Sequence, residues 1–496
     1  METTVKTGLK LCEDYFEEYG RPMLERDFSE YLGFISCGLV GEGSECLGYD
    51  DSLSTDHDFG PGFCIWVDDD KYEEIGEKLK RAYEKLPDEF RGIKRYNTEN
   101  ARGRVGVITY GDFFERIIGR RTLPVKPYEW NAIPDAKLGL LINGKIFMDV
   151  SGKADMCRKK IKYERPFSDR LAKLASQLEV VAQSGQYNYY RSVARNAIVT
   201  EKLVIASFME SSMRTWHLMC DSYAPYDKWL CRSLIDLPGG SELRNLMMEL
   251  AVSEHAGDRI ADICALIRKT LVVKGFCSEE KEYLADMAAD VMDYAKKAMV
   301  ADDITELEFA LFDKTGSEGG RAVCQDDWGT FSKMRRSQYY SFPMDLLYAV
   351  ASDFKKACEE GRNVITEKYG IMMQSTDPAG YEKIKDKLPC PDEEFVKLRE
   401  AIIPIQVGMM EEFAKEYPKM AQNARVIHTK DDSILFTSYE TYLRGELTTY
   451  SFSTLVLYGR FLAGLAKEGK NLAKIIMTKS AHLYGYDTLE KAENSI

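Results

Sequence analysis

Gly43-Ser44-Glu45-Cys46-Leu47-Gly48-Tyr49-Asp50-Asp51-Ser52-Leu53-Ser54-Thr55-Asp56-His57-Asp58 sets a Gly-Ser turn ahead of two carboxylates separated by one residue. An eleven-residue spacer, Glu45 to Thr55, lies between the turn and the first carboxylate. In an extended segment successive side chains alternate faces, so Asp56 and Asp58 project together while His57 points away. Neighbouring carboxylates repel unless a cation lies between them, and Mg²⁺ favours such oxygen ligands together with substrate phosphates. Upstream, Phe34-Ile35-Ser36-Cys37-Gly38-Leu39-Val40 is an apolar run that predicts a buried strand ending at the turn. The combination predicts a site for metal and phosphate at the end of a buried strand.

The flanking sequence extends this into an α+β unit. Leu9 to Tyr19 has helical spacing, and Pro22 suits the opening of a second helix. Phe63-Cys64-Ile65-Trp66-Val67 and Val105 to Tyr110 predict further strands, with an amphipathic helix from Lys71 to Leu86 between them. Leu138 to Ile142, Asn143-Gly144 and Lys145 to Asp149 predict a hairpin turning at Asn-Gly. After about residue 155 strand signals fade, and apolar residues recur at helical intervals to the C-terminus. The expected organisation is an α/β core over 1–155, a helical domain over 156–294 and a mainly helical domain over 295–496.

Composition narrows the function. A net charge of −13 argues against general binding to nucleic-acid backbones, where Lys and Arg neutralise phosphates. Five histidines make a His-rich zinc site improbable, and twelve scattered cysteines without a CxxC pair suggest reduced thiols. No apolar run has membrane-spanning length, and Met1-Glu2-Thr3-Thr4-Val5-Lys6 lacks a signal-peptide pattern, so the expected location is the cytoplasm.

Gly43-Ser44, the eleven-residue spacer and Asp56-His57-Asp58 together resemble the signature of the DNA polymerase β-like nucleotidyltransferase superfamily. The fuller string, through Asp58-Phe59-Gly60-Pro61, looks more particularly like an uncharacterised bacterial branch of it. The similarity covers residues 1 to about 290. The remainder resembles a second uncharacterised domain fused behind. The resemblance implies a nucleotidyltransferase-like mixed sheet with helices, followed by helical domains. It further implies transfer of a nucleoside monophosphate, AMP from ATP above all, to a hydroxyl of a small molecule or protein. Two Mg²⁺ ions, with Mn²⁺ as a substitute, would be held by Asp56, Asp58 and a third carboxylate. Asp149 is the first candidate for that third position and Asp112 the alternative. The alternative function is a non-catalytic nucleotide or metabolite sensor on a degenerate nucleotidyltransferase fold.

Other residues carry separate expectations. Gly43 and Ser44 would let backbone N–H groups approach a triphosphate. In Tyr223-Ala224-Pro225-Tyr226-Asp227-Lys228-Trp229, Lys228 could contact phosphates and Tyr226 could stack on a base, unless the string is aromatic packing at a helix start. Arg191 and Arg195 are weaker phosphate candidates. His57 reads as a packing residue, and Asp50 and Asp51 as members of a solvated loop. In the C-terminal region Arg321, Arg335, Arg336, Arg425, Arg444 and Glu446 could line an anion pocket or form ion pairs joining helices.

Overall fold

The computed structural model describes residues 8–55, 59–95, 104–316 and 320–496, so Asp56, His57 and Asp58 lie outside the described residues. The chain divides into two compact units, one ending at Leu266 and the other running from Ile267 to Ile496. The fold is α+β, with a four-stranded mixed sheet and a two-stranded ribbon in the first unit and, among the described residues, helices in the second.

The apolar run upstream of the Gly-Ser turn forms β1, Ile35–Leu39, and every one of its residues is buried. Continuous burial explains the absence of a polar alternation, because helices cover both faces of the sheet. Ile35, Cys37 and Leu39 pack with Tyr15, Phe16, Leu24, Ile75 and Leu79 on one side. Val40, Cys64 and Trp66 pack with Phe113, Ile117 and Leu138 on the other. The strands are β1, β2 (Cys64–Val67), β3 (Glu89–Phe90), β4 (Ile93–Lys94), β5 (Gly106–Thr109) and β6 (Lys145–Asp149). The main sheet has the order β5-β2-β1-β6, and β3 pairs only with β4. β1 runs antiparallel to both β2 and β6, and β2 runs parallel to β5.

Register decides where the ends of these strands meet. Gly38 pairs with Cys64, so the chain entering β2 comes in beside the end of β1 that leads to the turn. Lys145 pairs with Leu39 at that same end, and Asp149 pairs with Ser36 towards the opposite one. The β1–β6 ladder shifts between Cys37 and Gly38. A side chain at Gly38 would meet the Ile146 Cα at 3.0 Å and the Trp66 ring at 3.2 Å, so the close approach there requires glycine.

The hairpin expected at 138–149 is not formed. Asp135–Leu140 is a helix, entered through Pro134, and it buries Leu138 and Leu140. A short apolar run does not separate helix from strand by periodicity, and here packing selects helix. Asn143-Gly144 therefore joins a helix to β6, whose partner is β1 rather than its sequence neighbour. The strand expected at Val105–Tyr110 ends at Thr109, whose side chain caps the helix Tyr110–Ile118 through the Asp112 N–H. Long helices complete the first unit, with Phe167–Val181 packed on Ile198–Met219. Among the described residues no helix is long and apolar enough to cross a membrane.

The second unit is helical and encloses a neutral charge network. Arg335 Nε lies 2.6 Å from Glu308, and Arg335 Nη1 lies 3.1 Å from Glu446. Lys368 Nζ lies 3.8 Å from Glu308 and 3.7 Å from Glu446. Gln338 donates to Glu446 at 2.7 Å and the Tyr339 hydroxyl donates to Glu308 at 2.7 Å, so the carboxylate oxygens are satisfied. Burial alone would raise the Glu446 carboxyl, but Arg335 and Lys368 hold it well below the usual range. Arg336 with Asp302 and Arg444 with Glu400 are further pairs joining helices, and Glu440 pairs with Arg444 within one helix. Removing one partner leaves charge uncompensated in a dry interior. Arg335→Met should therefore cost about 3–5 kcal/mol in urea unfolding of the full chain, and a loss below 1 kcal/mol would show that the network is not coupled to folding.

Candidate functional site

The turn after β1 is built from glycines in conformations that side-chain-bearing residues avoid. Gly41 has φ 117° and Gly43 φ 122°. A side chain at Gly43 would strike the Arg104 guanidinium and come within 2.7 Å of the Glu45 carboxylate. Ser44–Leu47 is a single helical turn closed by Gly48 in the left-handed conformation. Asn143 fixes the turn from the β6 side, accepting from the Gly41 N–H at 2.9 Å and donating to the Gly41 carbonyl at 2.7 Å. Gly144 N–H donates to the Cys46 carbonyl at 2.7 Å, and Arg158 holds the Asn143 carbonyl at 2.8 Å.

Two arginines stand behind this turn. Arg104, buried at the entrance to β5, pairs with Glu45. Burial lowers its pKa, while Cys12, Glu42 and Tyr226 lie near enough to oppose that electrostatically. Arg116, from the helix Tyr110–Ile118, pairs with Glu42 at 3.2 Å. Its Nε and Nη2 are buried and have no hydrogen-bond partner among the described residues. A side chain at Gly41 would sit 3.6 Å from that Nη2, so these donors lie directly beside the turn.

The segment singled out around Tyr226 packs over the same region. Tyr226 precedes the helix Asp227–Ser233, and its electrostatic neighbours are Arg104, Cys46 and Glu42. Trp229 donates to the Tyr226 hydroxyl at 3.1 Å and its ring meets Tyr49 at 5.5 Å. The Arg232 guanidinium lies 4.9 Å above the Tyr49 ring, and the Tyr49 hydroxyl donates to Asp236 at 2.5 Å. Lys228 rests 5.0 Å over Trp229, with its charge felt at Asp51. Gly43, Ser44, Tyr226 and Lys228 are thus gathered in one neighbourhood, with Lys228 on the spacer side of it.

Asp149 is not gathered there. Its register partner Ser36 lies three residues before Leu39, about 10 Å along the strand from the end that feeds the turn. Both of its oxygens are engaged, Oδ1 by the Ser36 hydroxyl at 2.8 Å and Oδ2 by the Asp155 N–H at 2.9 Å. Tyr110 donates to Ser36 at 2.7 Å and completes this relay. Asp112 stands at the same remote end, where Thr109 pairs with Val67, and forms an ion pair with Arg121. The antiparallel pairing of β6 with β1 turns Asp149 away from the Gly-Ser end, which a sequence-adjacent hairpin does not reveal. Asp50 is closer: its Oδ2 accepts from the Gly8 N–H at 2.6 Å, and its Oδ1 is buried without a hydrogen-bond partner among the described residues. Arg191 is exposed and bonds to Tyr187, away from this neighbourhood.

Sequence reasoning missed Arg104, Arg116 and Asn143. Arg116 looks like any solvated helix arginine, and only the fold brings it under Gly41. The Asn-Gly pattern marks Asn143 as a turn former, whereas its amide serves the turn of another strand.

Residues 130–230 match the family model described as a domain of unknown function (DUF4037). Residues 298–494 match a second, described as a protein of unknown function (DUF4125). No curated protein and no solved structure matches the chain. The first match spans Asp149, His217, Tyr226 and Lys228, and it begins well after the Gly43-Ser44 turn.

His217 links the covering segment to the helix Ile198–Met219. Ser233 donates its hydroxyl proton to the Leu230 carbonyl at 2.9 Å, so it accepts from His217 Nε2 at 2.8 Å. Nδ1 is then left to accept from Ser222 at 3.3 Å. Burial pushes this imidazole down to about 4. A histidine kept neutral in the fold and protonated when unfolded stabilises above pH 6.5 and loses that contribution as pH falls towards 4. The loss attributable to His217 is about 3 kcal/mol over that window. Urea unfolding between pH 7 and 4.5 should show a shallower decline for His217→Gln than for wild type, and identical slopes would refute the assignment.

Proposed function

We propose that the first unit binds a nucleoside triphosphate, ATP in the simplest case, with its polyphosphate against the Gly43-Ser44 turn. It then transfers the nucleoside monophosphate to a hydroxyl of a small molecule or a protein. The observation that carries this reading is the pair Arg104 and Arg116 beneath a glycine turn, in a chain whose net charge is −13. Positive-φ glycines bring backbone N–H groups close to a ligand, and buried guanidinium groups favour multivalent oxyanions. Tyr226 and Trp229, close above, offer rings for a base or an acceptor.

The chemistry is positioning plus charge neutralisation. Mg²⁺ held by Asp56 and Asp58 would activate the attacking oxygen and offset charge on the leaving pyrophosphate. Asp149 is disfavoured as a third ligand, because its pairing with Ser36 sets it at the end of β1 away from the Gly43-Ser44 turn. Asp50, with one buried oxygen unengaged among the described residues, fits a cation near the turn better. We further assign the chain to the cytoplasm, where triphosphates are abundant and where twelve cysteines, none in a disulfide, stay reduced. A second reading, a nucleotide sensor without turnover, is favoured by one observation: Asp149 and Asp112 both stand at the far end of the sheet.

Transfer of label from α-phosphate-labelled ATP to candidate acceptors tests the proposal. Asp56→Asn and Asp58→Asn should each lower transfer at least about a hundredfold, and Arg116→Met should weaken ATP binding by roughly tenfold. Saturable ATP binding without transfer would select the sensor, and absence of binding would end both readings. Asp149→Asn should lower stability by about 1 kcal/mol through its lost hydrogen bonds while leaving ATP affinity unchanged. Loss of affinity at unchanged stability would overturn the register argument.

A further inference from the structure

A second charged cavity lies wholly within the helical unit that begins at Ile267. Its volume is about 840 Å³, and it is bounded by the turn Gly275–Ser278 and by residues of the helices Leu284–Asp313 and Leu472–Leu483. Phe276, Met344 and Ile475 supply apolar walls. Tyr294 and Tyr340 meet edge to face at 5.7 Å and form an aromatic corner. The Tyr340 hydroxyl is directed to Asp302 at 2.9 Å, so Tyr340 offers the cavity its ring.

Three lysines line this space; Lys296 is paired with Asp293, which leaves the ammonium groups of Lys297 and Lys479. Lys479 lies 4.5 Å over the Tyr294 ring and donates to its hydroxyl at 3.4 Å. The two carboxylates of the lining are taken by other lysines, Asp290 by Lys281 at 2.6 Å and Asp293 by Lys296 at 3.0 Å. Among the described residues no carboxylate lies within ion-pair distance of Lys297 or Lys479. Burial, reinforced by Lys297, lowers Lys479 to about 8, so it remains mainly protonated at neutral pH. Like charges held together out of water are costly unless an anion joins them.

The remaining wall is shaped by His482. Its Nε2 faces the Asp487 carbonyl at 3.1 Å, which can only accept, so Nε2 carries the proton. The ring packs on Gly275, whose φ of 72° and lack of a side chain leave room for it. Burial keeps this imidazole neutral by lowering its pKa, so His482 adds no charge to the lining.

We infer that this cavity binds a small phosphomonoester with an aromatic or apolar body, its phosphate seated between Lys297 and Lys479. A dianion matches two ammonium groups, and lysine serves phosphate as a compact point charge. The apolar walls and the Tyr294–Tyr340 corner suit a ring attached to that headgroup. The site is independent of the glycine turn, since every lining residue belongs to the second unit.

Isothermal titration of the full chain with phenyl phosphate, inorganic phosphate and benzoate tests the inference. Phenyl phosphate should bind one to one and more tightly than the other two. Lys297→Met and Lys479→Met should each weaken it at least about tenfold, while Lys397→Met, an exposed lysine paired with Glu393 and outside the lining, should not. Far-UV circular dichroism confirms that the variants are folded, and either lysine variant alone suffices. Absence of saturable binding, or equal affinity in wild type and both methionine variants, would overturn the site. Benzoate binding as tightly as phenyl phosphate would overturn its assignment to a dianion. Loss of ATP transfer in the first unit would leave these outcomes untouched, so the two proposals fail separately.

Discussion

The reciprocal pair of hydrogen bonds between Asn143 and Gly41 is the constraint on which the first unit's candidate site depends. β1 is fully buried and cannot move, so the chain leaving it must turn within a few residues of Leu39. Glycines make the turn sterically possible, but they also make it floppy in isolation. The Asn143 amide satisfies both backbone groups of Gly41, and Arg158 in turn holds the segment that carries Asn143. A turn fixed in this way can present aligned N–H groups to a ligand without paying their ordering entropy at each binding event.

Electrostatics divides the two units. Around the glycine turn, Arg104 pairs with Glu45 and Arg116 with Glu42, and the buried Nε and Nη2 of Arg116 have no hydrogen-bond partner among the described residues. In the second unit, Arg335 and Lys368 are balanced by Glu308 and Glu446, with tyrosine and glutamine filling the remaining valences. Completed networks of that kind specify packing and leave nothing for a ligand. Lys297 and Lys479 form the contrasting case, because their neighbours' carboxylates are spent elsewhere. The distinction is one of stoichiometry rather than of charge density, which is why a count of charged residues along the chain does not separate structure from site.

Much of the α+β core was legible. β1, the strand at Cys64–Val67 and the helix Tyr72–Glu84 follow from apolar runs and from 3.6-residue periodicity, because burial imposes those patterns. The hairpin at 138–149 was misread because Leu138 to Ile142 is apolar on every face, and such a run carries no period to decide between helix and strand. Tyr226 and Lys228 were legible as a distinctive string, yet their relation to Gly43 rests on contacts spanning about 180 residues, such as Tyr49 with Trp229. Asp149 shows the opposite case. It is a carboxylate at a strand end, but strand direction within the sheet sets that end away from the Gly43-Ser44 turn.

The amino-acid sequence by itself determined the local conformations: where strands are buried and where glycines turn the chain. These are properties of neighbours along the backbone, set by sterics and by hydrophobic period. Tertiary structure alone decided which side chains share a site. It brought Arg104 and Arg116 beneath the turn, separated Asp149 from it, and set Lys297 and Lys479 in the lining of one cavity. Those outcomes depend on sheet register and helix packing between residues distant in sequence, where a shift of one position or a reversal of one strand reassigns every partner.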